Sequence, residues 1–304
     1  MTVYRLAYVV PTKDRPNDMR TLLTSICQQT RLPDQIVVVD GSDPDIKPVV
    51  DAFPDLSITY VREFPPSLAR QRNAGMACLQ DDIDIAGYLD DDIELLPDAT
   101  EKMMAFWETA PQDVGGAVFS IICEEGGSSR LARLFNLEEA VVGGMSNGGV
   151  ERAIHPFDRN VETRWLNGGS TLWRRDVIRE FDFDEWFIGH GYLEDVDYSF
   201  RVGMKWRLYA VADAKCYHHH HPITLDKQFA FGRQQVVNRI YFTQKMGCFS
   251  KWGTTRDLTA HILLNLTSTW HERSTAGLRR FAGNIAGLIA VVAGRKKSFG
   301  EIWK

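Results

Sequence analysis

The chain has 304 residues, 44% hydrophobic and 25% charged, so it can bury a substantial core as one large or two closely packed domains. Its net charge of -5 argues against a nucleic-acid partner, because nucleic-acid-binding domains carry a basic excess. Five scattered cysteines without a CxxC pair indicate a reducing compartment, and we expect neither a signal peptide nor a membrane-spanning helix.

The first third of the chain alternates apolar runs with helical patterns. The predicted strands are Leu6–Val10, Gln35–Val39, Ser57–Arg62 and Ile85–Leu89, and the predicted helices are Asn17–Gln29, capped by Asn17, and Ser67–Leu79. Near-continuous apolar strands separated by helices predict a parallel sheet covered on both faces. Ligands of such sheets bind at the carboxyl ends of the strands.

Three adjacent carboxylates, Asp90, Asp91 and Asp92, follow the strand Ile85–Leu89 directly. Their mutual repulsion costs stability unless solvent, a cation or a partner compensates the charge. Hard divalent cations prefer carboxylate oxygens and fill their other positions with water and substrate phosphates. The cluster therefore predicts either a cation site or a solvated acidic turn.

The remainder of the chain divides into three parts. Residues 124–160 are rich in Gly and Ser and are predicted to be mostly loops, in which we expect substrate specificity to lie. Ordered structure is predicted to return at Trp165 and to include a strand at Arg207–Ala212. We expect a domain over residues 1–225 and a helical appendage over 226–304.

Seven segments in this order resemble family 2 glycosyltransferases of the GT-A fold. They are VVPTKDRP, VVVDGSD, RQRNAGM, YLDDDIEL, NGGSTLWRRDVI, FDEWFIGHGYLEDVDYSFR and CYHHHHP, and they extend from Leu6 to Pro222. The resemblance implies a Rossmann-like, mostly parallel sheet with helices on both faces, a nucleotide-binding half over about residues 1–100 and an acceptor-binding half over about 101–225. It further implies an inverting enzyme that uses a nucleotide-diphosphate sugar, UDP- or dTDP-linked, and Mn²⁺ or Mg²⁺.

The resemblance also assigns metal and nucleotide ligands. It implies that Asp92 binds the cation directly, that Asp90 and Asp91 support the nucleotide and metal, and that His218 completes the site. Because successive residues of an extended segment point to opposite sides, His220 would share the face of His218.

Asp40 matches the family aspartate that binds the base of the donor, and as a pure acceptor it suits an N–H group of a pyrimidine. A turn-forming role before Gly41 is the alternative. The further residues predicted for the donor site are Pro11, Thr12, Arg15, Arg72, Asn73 and Gly169.

Asp195 matches the general base that accepts the proton of the acceptor hydroxyl. Compensation of a helix dipole is the alternative, and Glu194 is the competitor for the catalytic role. We expect a glycan or lipid-linked hydroxyl acceptor in polysaccharide or cell-surface glycan synthesis. The alternative functions are a sugar-phosphate nucleotidyltransferase, which should show a glycine-rich phosphate loop after the first strand, and a non-catalytic sugar-nucleotide-binding protein.

Residues 278–297 form an amphipathic segment with basic flanks. Six basic residues and one acidic residue in the tail from Leu278 predict contact with an anionic membrane surface, without crossing it. A helix packed on the catalytic domain is the alternative. We therefore expect a cytoplasmic protein, either free or peripheral on the inner face of the cytoplasmic membrane.

Overall fold

The computed structural model describes residues 4–122, 142–189, 191–271 and 274–294. Internal contacts divide the chain into two compact units. The described part of the first unit comprises residues 4–122, 153–185, 189 and 191–220, and that of the second comprises 142–152, 186–188, 221–271 and 274–294. Segments 142–152 and 186–188 thus belong with the C-terminal helices, which the sequence had not indicated. Much of the predicted specificity segment, residues 123–141, lies outside the described residues.

The described part of the first unit contains one nine-stranded sheet. The strands are β1 (Leu6–Thr12), β2 (Gln35–Asp40), β3 (Ile58–Arg62), β4 (Ile85–Leu89), β5 (Ile93–Leu95), β6 (Val114–Ile121), β7 (Val161–Thr163), β8 (Ser170–Arg174) and β9 (Arg207–His218). Their order is β3-β2-β1-β4-β8-β6-β9-β5, and β7 also pairs with β9.

The sheet is parallel in its first half and mixed in its second. Strands β3, β2, β1 and β4 pair in parallel, and all residues of β1, β2 and β4 are buried, which explains their continuous apolar sequences. Strand β8 is antiparallel to β4, with Leu89 opposite Ser170. This pairing brings the segment before β8 to the carboxyl end of β4, where the aspartate cluster begins.

Six helices are described in the first unit. They are α1 (Pro16–Cys27), α2 (Lys47–Val50), α3 (Leu68–Ala77), α4 (Ala99–Thr109), α5 (Arg175–Glu180) and α6 (Glu194–Gly203). The buried stripe of α1 matches its predicted helical spacing. The prediction that Asn17 caps this helix is wrong. Pro16 takes the first helical position, where its missing N–H costs nothing, and the cap position falls on Arg15.

The described part of the second unit contains three α-helices, α7 (Gln228–Met246), α8 (Lys251–His271) and α9 (Ala276–Val292), and a short 3-10 helix at Leu225–Lys227 before α7. A Cβ atom at Gly232 of α7 would collide with the carbonyl oxygen of Arg280, and one at Gly283 of α9 would collide with that of Phe229. The backbones of α7 and α9 therefore touch, which only glycine permits. None of the helices described is long and apolar enough to cross a membrane.

Polar side chains also join the three helices. The Asn265 amide of α8 donates to Gln235 Oε1 of α7 and to Asn284 Oδ1 of α9, both at 2.9 Å. Asn284 in turn donates to the carbonyl oxygen of Gly232 at 2.7 Å. Because unpaired polar groups are costly when buried, these bonds favour one relative position of the helices.

Candidate active site

The carboxyl ends of β1, β2 and β4 carry the polar residues of the site. Thr12 and Asp40 are opposite each other at the ends of β1 and β2, and the aspartate cluster follows β4. The Thr12 hydroxyl donates to Asp91 Oδ2 at 2.7 Å. Pro11, buried beside Val39, contributes backbone to the same edge.

Arg15 binds two of the three aspartates. Its Nη1 lies 2.9 Å from Asp91 Oδ1 and 3.2 Å from Asp92 Oδ2. Burial raises the pKa of Asp91 from 3.8 to about 6, and the charge of Arg15 and the hydroxyl of Thr12 limit that rise. The cluster is therefore partly buried and electrostatically paired, unlike a solvated turn.

Asp92 and His218 come together across the sheet. Residue Ile93 of β5 is paired with His218 at the end of β9, and His218 Nε2 lies 3.1 Å from Asp92 Oδ1. The hydrogen bond to Asp92 raises the pKa of His218, and burial opposes the rise. The side chain of His219 contacts Glu94, with Nε2 2.7 Å from Glu94 Oε2, while its backbone N–H donates to the carbonyl oxygen of Asp92.

The pair formed by Asp92 and His218 fits two neighbouring ligands of a divalent cation. Adjacent corners of an octahedron with bonds of about 2.1 Å are about 3.0 Å apart, close to the 3.1 Å between these two ligand atoms. Among the described residues, no group of three or more His, Cys, Asp or Glu side chains could hold a metal ion. The remaining ligands would have to be water or substrate phosphate, as is usual for Mg²⁺-like ions.

Arg72 of α3 joins the aspartate cluster to α6. Its Nη2 donates to Asp90 Oδ1 at 3.0 Å and its Nη1 to Glu194 Oε1 at 2.9 Å. The guanidinium also lies over the rings of Tyr88 and Phe183, 5.4 and 5.2 Å from their centroids. Burial raises the pKa of Glu194 well above its usual range, the adjacent Asp195 adds to the rise, and Arg72 opposes it.

Asp195, in the first turn of α6, is fixed by backbone donors. Its Oδ2 accepts the N–H of Gly168 at 3.0 Å, and its Oδ1 accepts the N–H of Val196 at 2.8 Å. A Cβ atom at Gly168 would lie 2.8 Å from that of Asp195, and one at Gly169 would lie 2.7 Å from Asp90 Oδ2. The two glycines thus allow the segment before β8 to contact Asp90 on one side and Asp195 on the other.

Asp40 is fully buried and bound from several sides. Its Oδ1 accepts the N–H of Ser42 at 2.8 Å, and its Oδ2 accepts the N–H of Ile46 at 3.0 Å and the hydroxyl of Tyr60. Burial alone would raise the pKa of Asp40, but these hydrogen bonds outweigh it and hold the pKa below its usual range. Asp40 therefore organises the loop after β2.

Asn73, next to Arg72 on α3, contacts a different segment. Its Nδ2 donates to the carbonyl oxygen of Phe183 at 3.0 Å, and its Oδ1 accepts the N–H of Phe183 at 2.9 Å. The Nδ2 atom also lies 3.3 Å from Glu185 Oε1. These contacts place the side chain against residues 183–185.

Two features of the site were not predicted from the sequence. Glu194, considered only as a competing base, is the buried partner of Arg72, 122 positions away. Tyr60 was treated as a strand residue, and its hydroxyl binds Asp40. The alternating pattern of the β3 sequence predicts which face of the sheet Tyr60 lies on. Nothing in the sequence near Arg72 predicts that its partner is Glu194.

A family model described as glycosyl transferase family 2 matches residues 8–180, more than half of the chain. The chain belongs to this family. Family 2 membership supports a nucleotide-sugar glycosyltransferase, so that much of the predicted function is confirmed. No curated protein sequence matches the chain significantly.

Solved structures similar to this family 2 member show the same fold. TarS from S. aureus aligns with a TM-score of 0.53 and 14% identity, covering 77% of this chain but only 39% of TarS. TarS 1-349 in complex with UDP-GlcNAc aligns with a TM-score of 0.52 and 12% identity, covering 95% of this chain and 92% of that one. The mannosyltransferase PcManGT from Pyrobaculum calidifontis, in complex with GDP-Man and Mn²⁺, aligns with a TM-score of 0.55 and 18% identity, covering 96% and 76%. The predicted GT-A fold is confirmed.

Proposed function

We propose that the protein is an inverting glycosyltransferase that moves a hexosyl or deoxyhexosyl group from a nucleotide-diphosphate sugar to a hydroxyl acceptor. The observation that carries this proposal is the bridge of Arg72 between Asp90 and Glu194. In this bridge Asp90, which is expected at the donor, lies near Glu194, whose neighbour Asp195 is expected at the acceptor. A single displacement requires donor and acceptor side by side.

The donor is proposed to bind over the strand ends with a divalent cation, Mn²⁺ or Mg²⁺. Asp92 and His218 would hold the cation, and Asp90 and Asp91 would support it. When bound, such a cation neutralises the charge that develops on the leaving diphosphate. PcManGT, which shares the fold, was solved with GDP-Man and Mn²⁺, and this supports the proposal.

The nucleotide is proposed to lie along the edge formed by β1 and β2. Pro11, Thr12 and Asp40 are adjacent there, and Arg15 lies beside the aspartates. Asp40 is fully buried, so its contribution to the base site would run through the loop of Ser42 and Ile46 that its carboxylate holds. Gly169 would admit the donor sugar close to the backbone, and Asn73 would act through the segment at Phe183.

The acceptor hydroxyl is proposed to lose its proton to Asp195. The N–H groups of Gly168 and Val196 fix this carboxylate in one orientation, as a general base requires. Glu194, buried and bound to Arg72, fits a positioning role better. Attack opposite the leaving diphosphate would invert the anomeric centre.

The alternative functions receive less support. The end of β1 and the residues after it read Pro11-Thr12-Lys13-Asp14-Arg15, without the glycine-rich phosphate loop that a nucleotidyltransferase would need. A non-catalytic sugar-nucleotide-binding protein would not need Asp195 held by two backbone donors. Detectable transfer or donor hydrolysis separates an enzyme from such a protein.

We further propose a peripheral membrane contact through α9, consistent with a glycan or lipid-linked acceptor in cell-surface glycan synthesis. The small residues of α9 pack inward, and Leu278, Ile285, Ile289 and Val292 are exposed. From 274 to 300 the sequence contains five basic and no acidic residues. An exposed apolar stripe between basic flanks suits an anionic lipid surface.

The experiment that tests the enzymatic proposal combines binding with product analysis. Nucleotide sugars are screened with Mn²⁺ for a rise in melting temperature, because a ligand of the folded state stabilises it by mass action. The hits are then incubated with hydroxyl acceptors, and the anomeric configuration of the product is read by NMR. A retained configuration, or no stabilisation by any nucleotide sugar, contradicts the proposal.

A further inference from the structure

Arg15 occupies a position where its charge competes with a cation. Its Nη1 bridges Asp91 Oδ1 and Asp92 Oδ2, while His218 contacts the other oxygen of Asp92. The side chain of Arg15 is 35% exposed, whereas those of Asp91 and Asp92 are 5% and 7% exposed. The carboxylates are thus fixed, and the guanidinium at the end of a flexible side chain is the group that can move.

We propose that Arg15 is an exchangeable counter-ion that moves between the Asp91–Asp92 pair and the diphosphate of the donor. Without donor it neutralises Asp92 and opposes the binding of a divalent cation. With donor bound it turns to the phosphate oxygens and releases Asp92. This inference rests on the proposed function, because it requires both a cation and a nucleoside diphosphate at this site.

Charge repulsion and the hydrogen-bonding geometry of arginine both favour the exchange. A guanidinium repels a divalent cation placed on the same carboxylate, and the repulsion is strong where water is partly excluded. The planar guanidinium of arginine also pairs well with both phosphate and carboxylate groups. When Arg15 leaves Asp91 and Asp92 for a diphosphate, it therefore exchanges one charged pairing for another.

Arg72, the other arginine at the cluster, is not suited to this role. Its side chain is 1% exposed and its two terminal nitrogens are bound to Asp90 and Glu194. Moving it would leave buried charges unpaired, which is costly. Arg15 has no comparable restraint, since only one of its terminal nitrogens makes the two contacts described here.

The exchange makes the two ligands cooperative. The donor removes Arg15 from Asp92 and so strengthens cation binding, and by linkage the cation strengthens donor binding by the same factor. Substitution of Arg15 should therefore raise the affinity for the cation alone and lower the affinity for the nucleoside diphosphate. A residue that only maintains the shape of the site would weaken both.

The test uses Arg15→Gln in the full chain, with Mn²⁺ alone and with UDP and GDP as probes of the diphosphate site. At pH 8, calorimetry should show Mn²⁺ binding about fivefold or more tighter than in the wild type. In saturating Mn²⁺, the nucleoside diphosphate that binds the wild type should bind about fivefold or more weaker. Arg20→Gln on α1, which removes the same charge from an exposed position, should change neither affinity.

Each other outcome has a defined meaning. If the wild type binds Mn²⁺ and a nucleoside diphosphate but Arg15→Gln weakens both or changes neither, the exchange is wrong and the proposed function stands. If the wild type binds neither Mn²⁺ nor either diphosphate, the cation and donor assignments fail and the exchange fails with them. Should Arg15→Gln not fold, Arg15→Lys replaces it, and the same opposite shifts are expected in smaller amount because lysine lacks the fork.

Discussion

Asp90 and Glu194 are held by the two terminal nitrogens of one buried guanidinium, at 3.0 and 2.9 Å. Asp90 follows β4 and Glu194 begins α6, so Arg72 between them ties the first half of the first unit to its second. The position of Asp195, which follows Glu194 directly, therefore depends on this bridge.

Arg72→Gln should destabilise the protein by about 3–5 kcal/mol, because it leaves Glu194 and Asp90 without their buried cationic partner. Arg72→Lys should lose less stability, since lysine keeps the positive charge but lacks the planar guanidinium that bonds two carboxylates at once. Urea unfolding followed by circular dichroism measures both, with Arg20→Gln as the exposed control. Equal stability of Arg72→Gln and the control would show that the bridge does not hold the motifs together.

Asp195→Asn should lower the transfer rate by about 10²- to 10⁴-fold while donor affinity is retained, because asparagine has the shape of aspartate but cannot accept the proton. Glu194→Gln should mainly lower the melting temperature, because Glu194 is a buried partner of Arg72. Initial rates, donor affinities and melting temperatures are compared for both variants. Transfer by Asp195→Asn at close to the wild-type rate would remove this residue from the mechanism.

His218→Gln should weaken Mn²⁺ binding about tenfold or more, since even the partners of metal ligands are worth about 10–100-fold in affinity. His219→Gln is the matched control, because the imidazole of His219 contacts Glu94, and its bond to Asp92 is made by the backbone N–H, which the substitution keeps. Calorimetry with Mn²⁺ measures both, and excess EDTA should abolish turnover of the wild type. Indistinguishable affinities of the two variants would contradict the assignment of His218.

Asp40→Asn should reduce the free energy of unfolding at pH 7 by about 1–3 kcal/mol, because an amide cannot accept all the donors that surround this carboxylate. The pKa of Asp40 is lowered by folding from its ordinary value of 3.8. Its stabilisation is therefore fully present above that value and is lost as the pH falls through the lower folded pKa.

The check is denaturant unfolding of the wild type and Asp40→Asn between about pH 2 and pH 7, which includes the ordinary pKa of an aspartate. The difference between them should shrink below about pH 4. Asp55→Asn, at an exposed position, is the control and should follow the wild type throughout. A difference that stays constant down to pH 2 would contradict a lowered pKa.

Ile289→Glu should reduce binding to vesicles of phosphatidylserine and phosphatidylcholine by about tenfold or more, because burial of an isoleucine side chain is worth about 1.5–3 kcal/mol. Ile289 is 64% exposed on α9. Leu32→Glu, at an exposed position in the first unit, is the control. Cosedimentation measures binding, and equal binding of both variants would exclude α9 as the contact.

The parallel half of the sheet was predictable because its strands are apolar runs that end at polar or turn-forming residues. Strand β4, Ile85–Leu89, matches the prediction at both ends. The antiparallel insertion of β8 between β4 and β6 was not predictable, since strand order depends on contacts far apart in the sequence. The same limit applies to Arg72, which nothing near it in the sequence connects to Glu194.

The close contact of α7 and α9 has a consequence for the outside of α9. Gly283 and Gly287 face inward because only small residues allow the two backbones to approach. From Phe281 to Val292 the one polar side chain of α9 is Asn284, which is buried against α7 and α8, so this part of the helix has no polar side to turn toward solvent. The glycine contact that attaches the helix thus also leaves the branched side chains of Ile285, Ile289 and Val292 on the surface.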